Sequence, residues 1–395
     1  MSSPLTRRDW LRASGLLTAG LTAGMRVAKA GTGSLMPVGQ SVFVDEFAPL
    51  TAPPELKAMR ARLLANENPH GIAPSAKEAI VKSMEVGNRY AWNEFDQIKR
   101  LIAADDFVTP KHIMMSPGSS DILMAAADHY AKGAGTILTS VMTYDDLLER
   151  AEGFGATIKA LPMTKDYKYD LPAIKAAITA SADRPDVKLV YIVNPNNPTG
   201  TVVPIAELEA LVREVSPKVP VFIDEAYIDF YEPADRPKLG KLVAEGYNVI
   251  LARTFSKIHG FAGLRLGYAI AQPDTLKLLK SYTNGEFAVS ITTLMAGIAS
   301  YQDQGWQNFC RAENAKAREY TAKALAGMGY EVIPSNTNFL LFPIRMKPAS
   351  FQQKMMADGI GIQTRQFDGQ PFCRVSIGTM DEMKMFIDSF KKVVG

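Results

Sequence analysis

Lys257 stands in the stretch Arg253-Thr-Phe-Ser-Lys257-Ile-His-Gly-Phe-Ala-Gly-Leu-Arg265-Leu-Gly267, one residue after Ser256 and eight before Arg265. It follows the apolar run Val249–Ala252 and precedes Gly260 and Gly263, which allow close backbone approach. A lysine among cationic or desolvating neighbours loses basicity and becomes a nucleophile or an imine former. Upstream, Val221-Phe-Ile-Asp224-Glu-Ala-Tyr227 ends an apolar run in a carboxylate and sets a phenol three residues on. Left unpaired there, that carboxylate would cost on the order of several kcal/mol. It therefore either caps a loop or meets a cation. Asn194-Pro-Asn-Asn197-Pro-Thr-Gly200 adds an amide in a segment that could otherwise be a plain turn.

A phosphate clamp completes the set. Ser116-Pro-Gly118-Ser119-Ser120-Asp121 follows a short apolar run and opens a helical stretch, Ile122–Tyr130. Exposed amides at a helix N-terminus form an anion site. Ser256 would add a hydroxyl, and Arg265 a guanidinium fitted to bidentate contact. An imine-forming amine, a carboxylate for a protonated ring nitrogen, two donors for a ring hydroxyl and a phosphate clamp together suit pyridoxal phosphate. Asp224 would keep the ring an electron sink, and Asn197 and Tyr227 would stabilise its phenolate. Tyr144 is placed either to stack on that ring or to serve as a core aromatic.

These groups need a scaffold that gathers loop ends. Apolar runs at 113–115, 136–139, 157–161, 189–193, 221–223, 249–252 and 267–271 alternate with helical patterns such as Ile205–Val215 and Thr275–Ser281. Near-continuous apolar strands imply a parallel sheet buried on both faces. The expected fold is α/β, with a mixed, mostly parallel seven-stranded sheet and ligands just beyond the strand ends. We expect a large cofactor domain over 75–284 and a smaller α+β domain over 285–395, joined by an extended segment at 31–74. In the smaller domain, a long helical region over 291–328 leads to strands at 337–342 and 373–377. A terminal amphipathic helix follows, capped by Thr379.

The 395 residues are 47% hydrophobic and 22% charged, ordinary for a soluble chain of two domains. Five basic residues against one acidic residue lie in the first 30, so the rest is close to neutral despite a formal net charge of +3. Nothing in that balance argues for nucleic acid. Thr6-Arg7-Arg8-Asp9-Trp10-Leu11-Arg12, a weak apolar run to Met25 and Ala28-Lys29-Ala30 resemble a twin-arginine export signal with its cleavage site. Export of a folded, cofactor-loaded protein by the twin-arginine translocase to the periplasm or beyond is expected. No stable membrane span is expected. Cys310 and Cys373 cannot build a zinc framework, and no metal site is expected. They read as packing residues, with a disulfide unsupported.

The motifs together resemble fold-type I aminotransferases, and specifically the histidinol-phosphate aminotransferase family. The likeness runs from Asn66-Glu-Asn-Pro-His-Gly71 to Arg374-Val-Ser-Ile-Gly378 and includes Asn88-Arg-Tyr90. It implies a pyridoxal-phosphate-dependent aminotransferase in which Lys257 holds the cofactor as an aldimine and then moves the proton at Cα. Asp224, Asn197 and Tyr227 would meet the ring, and Gly118, Ser119, Ser120, Ser256 and Arg265 the phosphate. Tyr90 would reach the phosphate of the partner in a homodimer. Arg374 would fork onto the substrate α-carboxylate, with Asn66 beside it and Arg365 at the distal group. A strand-end salt bridge is the plainer reading of Arg374, and solvent that of Arg365. A decarboxylase or racemase on the same site is the alternative reaction. Departures at His70, His259, Ala91-Trp92 and Gln366-Phe367-Asp368 lie on the substrate side, so the amino acid or histidinol-phosphate-like amine stays open. The two histidines line the pocket or merely pack.

Overall fold

The computed structural model describes residues 59–180 and 187–395; the expected leader and most of the extended segment after it lie outside these. Its strands in chain order are β1 (Ala61–Arg62), β2 (Ile113–Ser116), β3 (Thr136–Ser140), β4 (Thr157–Leu161), β5 (Val187–Val193) and β6 (Val221–Asp224). They continue with β7 (Val249–Thr254), β8 (Gly267–Ile270), β9 (Phe339–Pro343), β10 (Ile360–Gly361), β11 (Gln363–Phe367) and β12 (Gln370–Ser376). Seven form one sheet in the order β2-β8-β7-β6-β5-β3-β4. Only β8 runs against its neighbours; the other pairings are parallel. All seven expected strands are present.

Side chains that alternate across these strands feed two cores. Val190, Ile192, Val221, Ile223 and Leu251 point to one face, and Leu189, Tyr191, Phe222, Ile250 and Ala252 to the other. Both faces are covered by helices, so the central strands read as unbroken apolar runs. Edge strand β4 keeps an exposed pattern. Helix Ser119–Tyr130 packs on one face through Ile122, Leu123 and Ala126, while Ile205–Val215 covers the other through Leu208 and Val212.

A third core gathers Phe342, Phe351, Phe386 and Phe390 around the antiparallel sheet β11-β12-β9. Ala61 and Leu63 join it, and β1 pairs with β10. The terminal helix, Met380–Val394, begins at a capping box in which Thr379 and Glu382 satisfy each other's backbone amides.

The long helical region at 291–328 is two helices, Ile291–Gln302 and Gln304–Gly327. Asp303 breaks it: its carboxylate accepts the Trp306 amide to cap the second helix and takes the Ser75 hydroxyl at 2.6 Å. The first of the pair buries Ile291, Leu294 and Ile298 in the core of the seven-stranded sheet, not in that of the small one. Strands β1, β10 and β11 were not expected. Two-residue pairings carry no periodicity, and Gln-Thr-Arg-Gln-Phe is polar on both faces. Its turn is Asp368-Gly369, both at positive φ (47° and 78°) in a two-residue hairpin. Cys310 and Cys373 are both buried and free. Among the described residues no helix is long and apolar enough to cross a membrane.

Candidate active site

The chemistry-bearing groups sit where the sheet's strands end. β6 finishes in Asp224, β7 runs into Ser256 and Lys257, β5 into the Asn194–Gly200 loop, and β2 into Gly118 and helix Ser119–Tyr130. Their side chains converge on one cleft of about 310 Å³. Of the residues proposed from sequence, Ser119, Ser120, Ser256 and Arg265 line one end of it. Tyr144, Asn197, Asp224, Tyr227 and Lys257 line the middle, and Asn66, Arg365 and Arg374 the other end.

The first end is shaped for a compact anion. Gly118 has φ 89° and precedes the first turn of the helix, whose amides are free of intrahelical partners. A Cβ on Gly118 would lie 2.3 Å from Nη2 of Arg265, so only glycine lets the guanidinium close over the turn. Gly267 of β8 is equally constrained, since its Cβ would meet the Ser119 amide nitrogen at 2.4 Å. Arg265 itself adopts φ 57° and donates Nη1 to the Ala262 carbonyl at 2.9 Å and, at 3.4 Å, to the Ser256 hydroxyl. Thr254 donates its hydroxyl to Ser256 at 2.9 Å.

In the middle, Asp224 is 2% exposed. Burial pushes its carboxyl up to about 7, against the pull of the Ala226 amide (3.0 Å) and the Lys257 charge. It forms no ion pair among the described residues. A carboxyl so placed is an unmet demand for a cation, which a protonated pyridine nitrogen satisfies. Lys257 brings its Nζ to 5.5 Å from the Tyr227 ring centroid. Asn66 donates its amide to the Tyr227 oxygen at 2.9 Å, which leaves the phenol proton to be donated elsewhere. The Tyr144 hydroxyl donates to Asp146, and its ring wall faces the cleft.

At the far end Arg374, on β12, is 6% exposed and donates to Asn197 Oδ1 (2.8 Å) and to the Leu64 carbonyl (3.0 Å). Because a guanidinium only donates, this contact fixes the Asn197 amide with Nδ2 toward the cleft. Asn66, at φ 54°, is held by Ser376, whose hydroxyl donates to its Oδ1 at 2.8 Å and accepts its backbone amide at 2.8 Å. Arg365 is exposed at the rim on β11.

Tyr90 is not in the cleft. It is 77% exposed and lies against Phe287 and Trp92, with ring centroids at 5.8 and 6.5 Å. His70 packs edge-on to Phe309, and His259 is buried against Tyr301, with its Nδ1 2.8 Å from the Ser300 hydroxyl. Burial pushes His259 down to about 4, so it is neutral at ordinary pH and faces away from Lys257's cleft. The sequence reading missed the charge layer behind the site. Arg253, 1% exposed, donates to Glu225 (2.7 Å) and Asp106 (2.5 Å), and Arg236 to Asp229 (3.2 Å). An arginine inside the apolar run of β7 was the available signal. Gln363, also on the cleft wall, was likewise missed.

Fold and site together define a class I or II aminotransferase of fold type I. The sequence matches the family "Aminotransferase class I and II" over residues 61–390, and the chain belongs to that family. Members use pyridoxal phosphate, and the cleft's phosphate cradle, unpaired Asp224 and Lys257 fit it. The chain is 30% identical to the histidinol-phosphate aminotransferase of Moorella thermoacetica, over 84% of this chain and 85% of that one. It is 32% identical to the aromatic amino acid aminotransferase of Mycolicibacterium smegmatis, over 86% and 91%. Among solved structures it resembles histidinol-phosphate aminotransferase from Sinorhizobium meliloti in complex with pyridoxal-5'-phosphate. That likeness has a TM-score of 0.77 at 26% identity, covering 91% of this chain and 99% of that one.

The raised Asp224 carboxyl makes a pH prediction for the cofactor-free protein. Between the unfolded value near 3.8 and the folded value of about 7, the folded state holds the extra proton. Stability is therefore lost as pH rises through that window. Asp224→Asn should flatten the slope of unfolding midpoint against pH from 4.5 to 7.5. An unchanged slope would show that Asp224 ionises freely in the fold.

Proposed function

We propose that this chain transfers an amino group between an amino acid, or a histidinol-phosphate-like amine, and a 2-oxo acid in a ping-pong cycle, with Lys257 carrying the proton at the substrate Cα. The observation that carries this is that Lys257 lines one cleft together with an unpaired buried carboxyl, Asp224, and a buried guanidinium, Arg374. Pyridoxal phosphate, when bound, supplies an aldehyde that bonds amines and a ring that draws electrons from Cα. Asp224 would meet the ring nitrogen and keep a positive charge there. Asn197 Nδ2 and the Tyr227 hydroxyl would donate to the ring's hydroxyl oxygen, with orientations set by Arg374 and Asn66. Gly118, Ser119, Ser120, Ser256 and Arg265 would hold the phosphate. Arg374 forks onto the substrate α-carboxylate beside Asn66, and Arg365 stands at the rim for a distal group. The family match does not favour the decarboxylase or racemase alternative. The relatives' substrates, histidinol phosphate and aromatic amino acids, mark the range to screen first.

Each amino acid added to the loaded protein should bleach its visible absorbance in proportion to its quality as a donor, with a new oxo acid formed. Lys257→Ala should abolish that turnover; activity surviving in this variant would sink the assignment. The exposed cluster of Tyr90, Trp92 and Phe287 supports a homodimer in which Tyr90 reaches the partner's phosphate site. Sedimentation showing one chain per particle in the loaded enzyme would rule that out. The twin-arginine pattern at Arg7 and Arg8 supports export of the folded enzyme. Replacing both by lysine should retain the precursor in the cytoplasm, and undiminished export would contradict the route.

A further inference from the structure

Strand β11 forms the cleft wall at the substrate end, and one of its side chains, Gln363, has no part in the chemistry above. Alternation along β11 turns Gln363 and Arg365 to the same side, and both line the cleft. Antiparallel register sets Gln363 directly opposite Arg374, so its amide stands beside the guanidinium assigned to the α-carboxylate. Arg365, two residues farther out, also borders an adjoining cavity of about 360 Å³ walled by Tyr144, Pro198 and Phe367. A substrate held by its carboxylate at Arg374 therefore sends its side chain past Gln363 before it reaches Arg365.

Gln363 Oε1 is buried and has no hydrogen-bond partner. Buried acceptors are almost always paired, because the lost solvation is otherwise uncompensated. The neighbouring guanidinium is bonded to Asn197 and the Leu64 carbonyl and makes no bond to Gln363, its own Nε also being without a partner. The Thr364 hydroxyl, next along the strand, turns away to Gln352. The donor that fits is one that arrives with the substrate.

We propose that Gln363 is a specificity-determining residue whose amide oxygen accepts a hydrogen bond from the substrate side chain, so that the enzyme prefers uncharged side chains bearing an N–H or O–H to apolar ones of similar size. This rests on the transamination reading and names the substrate class within it. The selection works through a directional bond: an analogue lacking the donor leaves the buried amide oxygen unpaired. Hydrogen-bonding sites discriminate more sharply than hydrophobic ones for this reason.

The test compares kcat/KM for matched amino donors, tyrosine against phenylalanine and glutamine against methionine, in cofactor-loaded wild type and variants. Wild type should favour the polar member of at least one pair by about tenfold or more. Gln363→Met, with the same reach and no amide, should bring that ratio to within about threefold of unity by slowing the polar member only. Gln363→Leu serves the same purpose should the methionine variant fold poorly. Gln363→Glu keeps an acceptor oxygen and should retain the preference. Ratios unchanged in the Met and Leu variants, or both members of each pair falling together, would overturn the assignment while leaving transamination intact. A wild-type protein inert toward every amino acid would overturn both.

Discussion

Asp224 closes β6 with its carboxyl withdrawn from water, and the layers in front of and behind it answer to that placement. Three acids fall within six residues of one another here: Asp224, Glu225 and Asp229. Two are met from behind by guanidinium groups, Glu225 by Arg253 and Asp229 by Arg236. Burial alone would raise Asp229, yet the Arg236 charge keeps it below the usual carboxylate range. Asp224 has no such partner among the described residues and stays strongly raised. Leaving one buried charge unpaired is destabilising unless a ligand supplies the counter-charge, which is the place the proposed function gives to the cofactor. The paired acids anchor the loop that carries Tyr227, which keeps the unpaired one in register.

Much of this was legible because the site lies at strand ends. A strand buried on both faces writes itself as an apolar run, and a polar residue ending such a run is conspicuous; Asp224 stands out for that reason, and Lys257 for its company of Ser256, Gly260, Gly263 and Arg265. Gly118 and Arg265 were legible as parts of one anion site, although the guanidinium's occupation of the space of the missing Cβ was not, since that contact spans more than a hundred residues. The substrate end was harder to read. Strand β11 has no alternation of polarity, because one of its faces borders the cleft and the other is also solvated, so the pattern that marks other strands is absent. Helix Ile291–Gln302 was misplaced for a related reason. Amphipathicity shows that a helix has a buried face but not which core receives it.

The substrate end is assembled from the two extremities of the described chain. Asn66 and Leu64, just after β1, meet Arg374 and Ser376 of β12 across a separation of 310 residues. None of these contacts can form from local sequence, and each supports another. Ser376 orients Asn66, Asn66 orients the Tyr227 phenol, and Arg374 orients the Asn197 amide.

This long-range closure bears on biosynthesis. While the last strand and the helix after it remain in the ribosome exit tunnel, Asn66 lacks its Ser376 anchor and Asn197 its guanidinium. The turn at Gly118 and the strand before Lys257 draw on residues made earlier, so the end of the cleft around Asn66 and Asn197 is the last to be set.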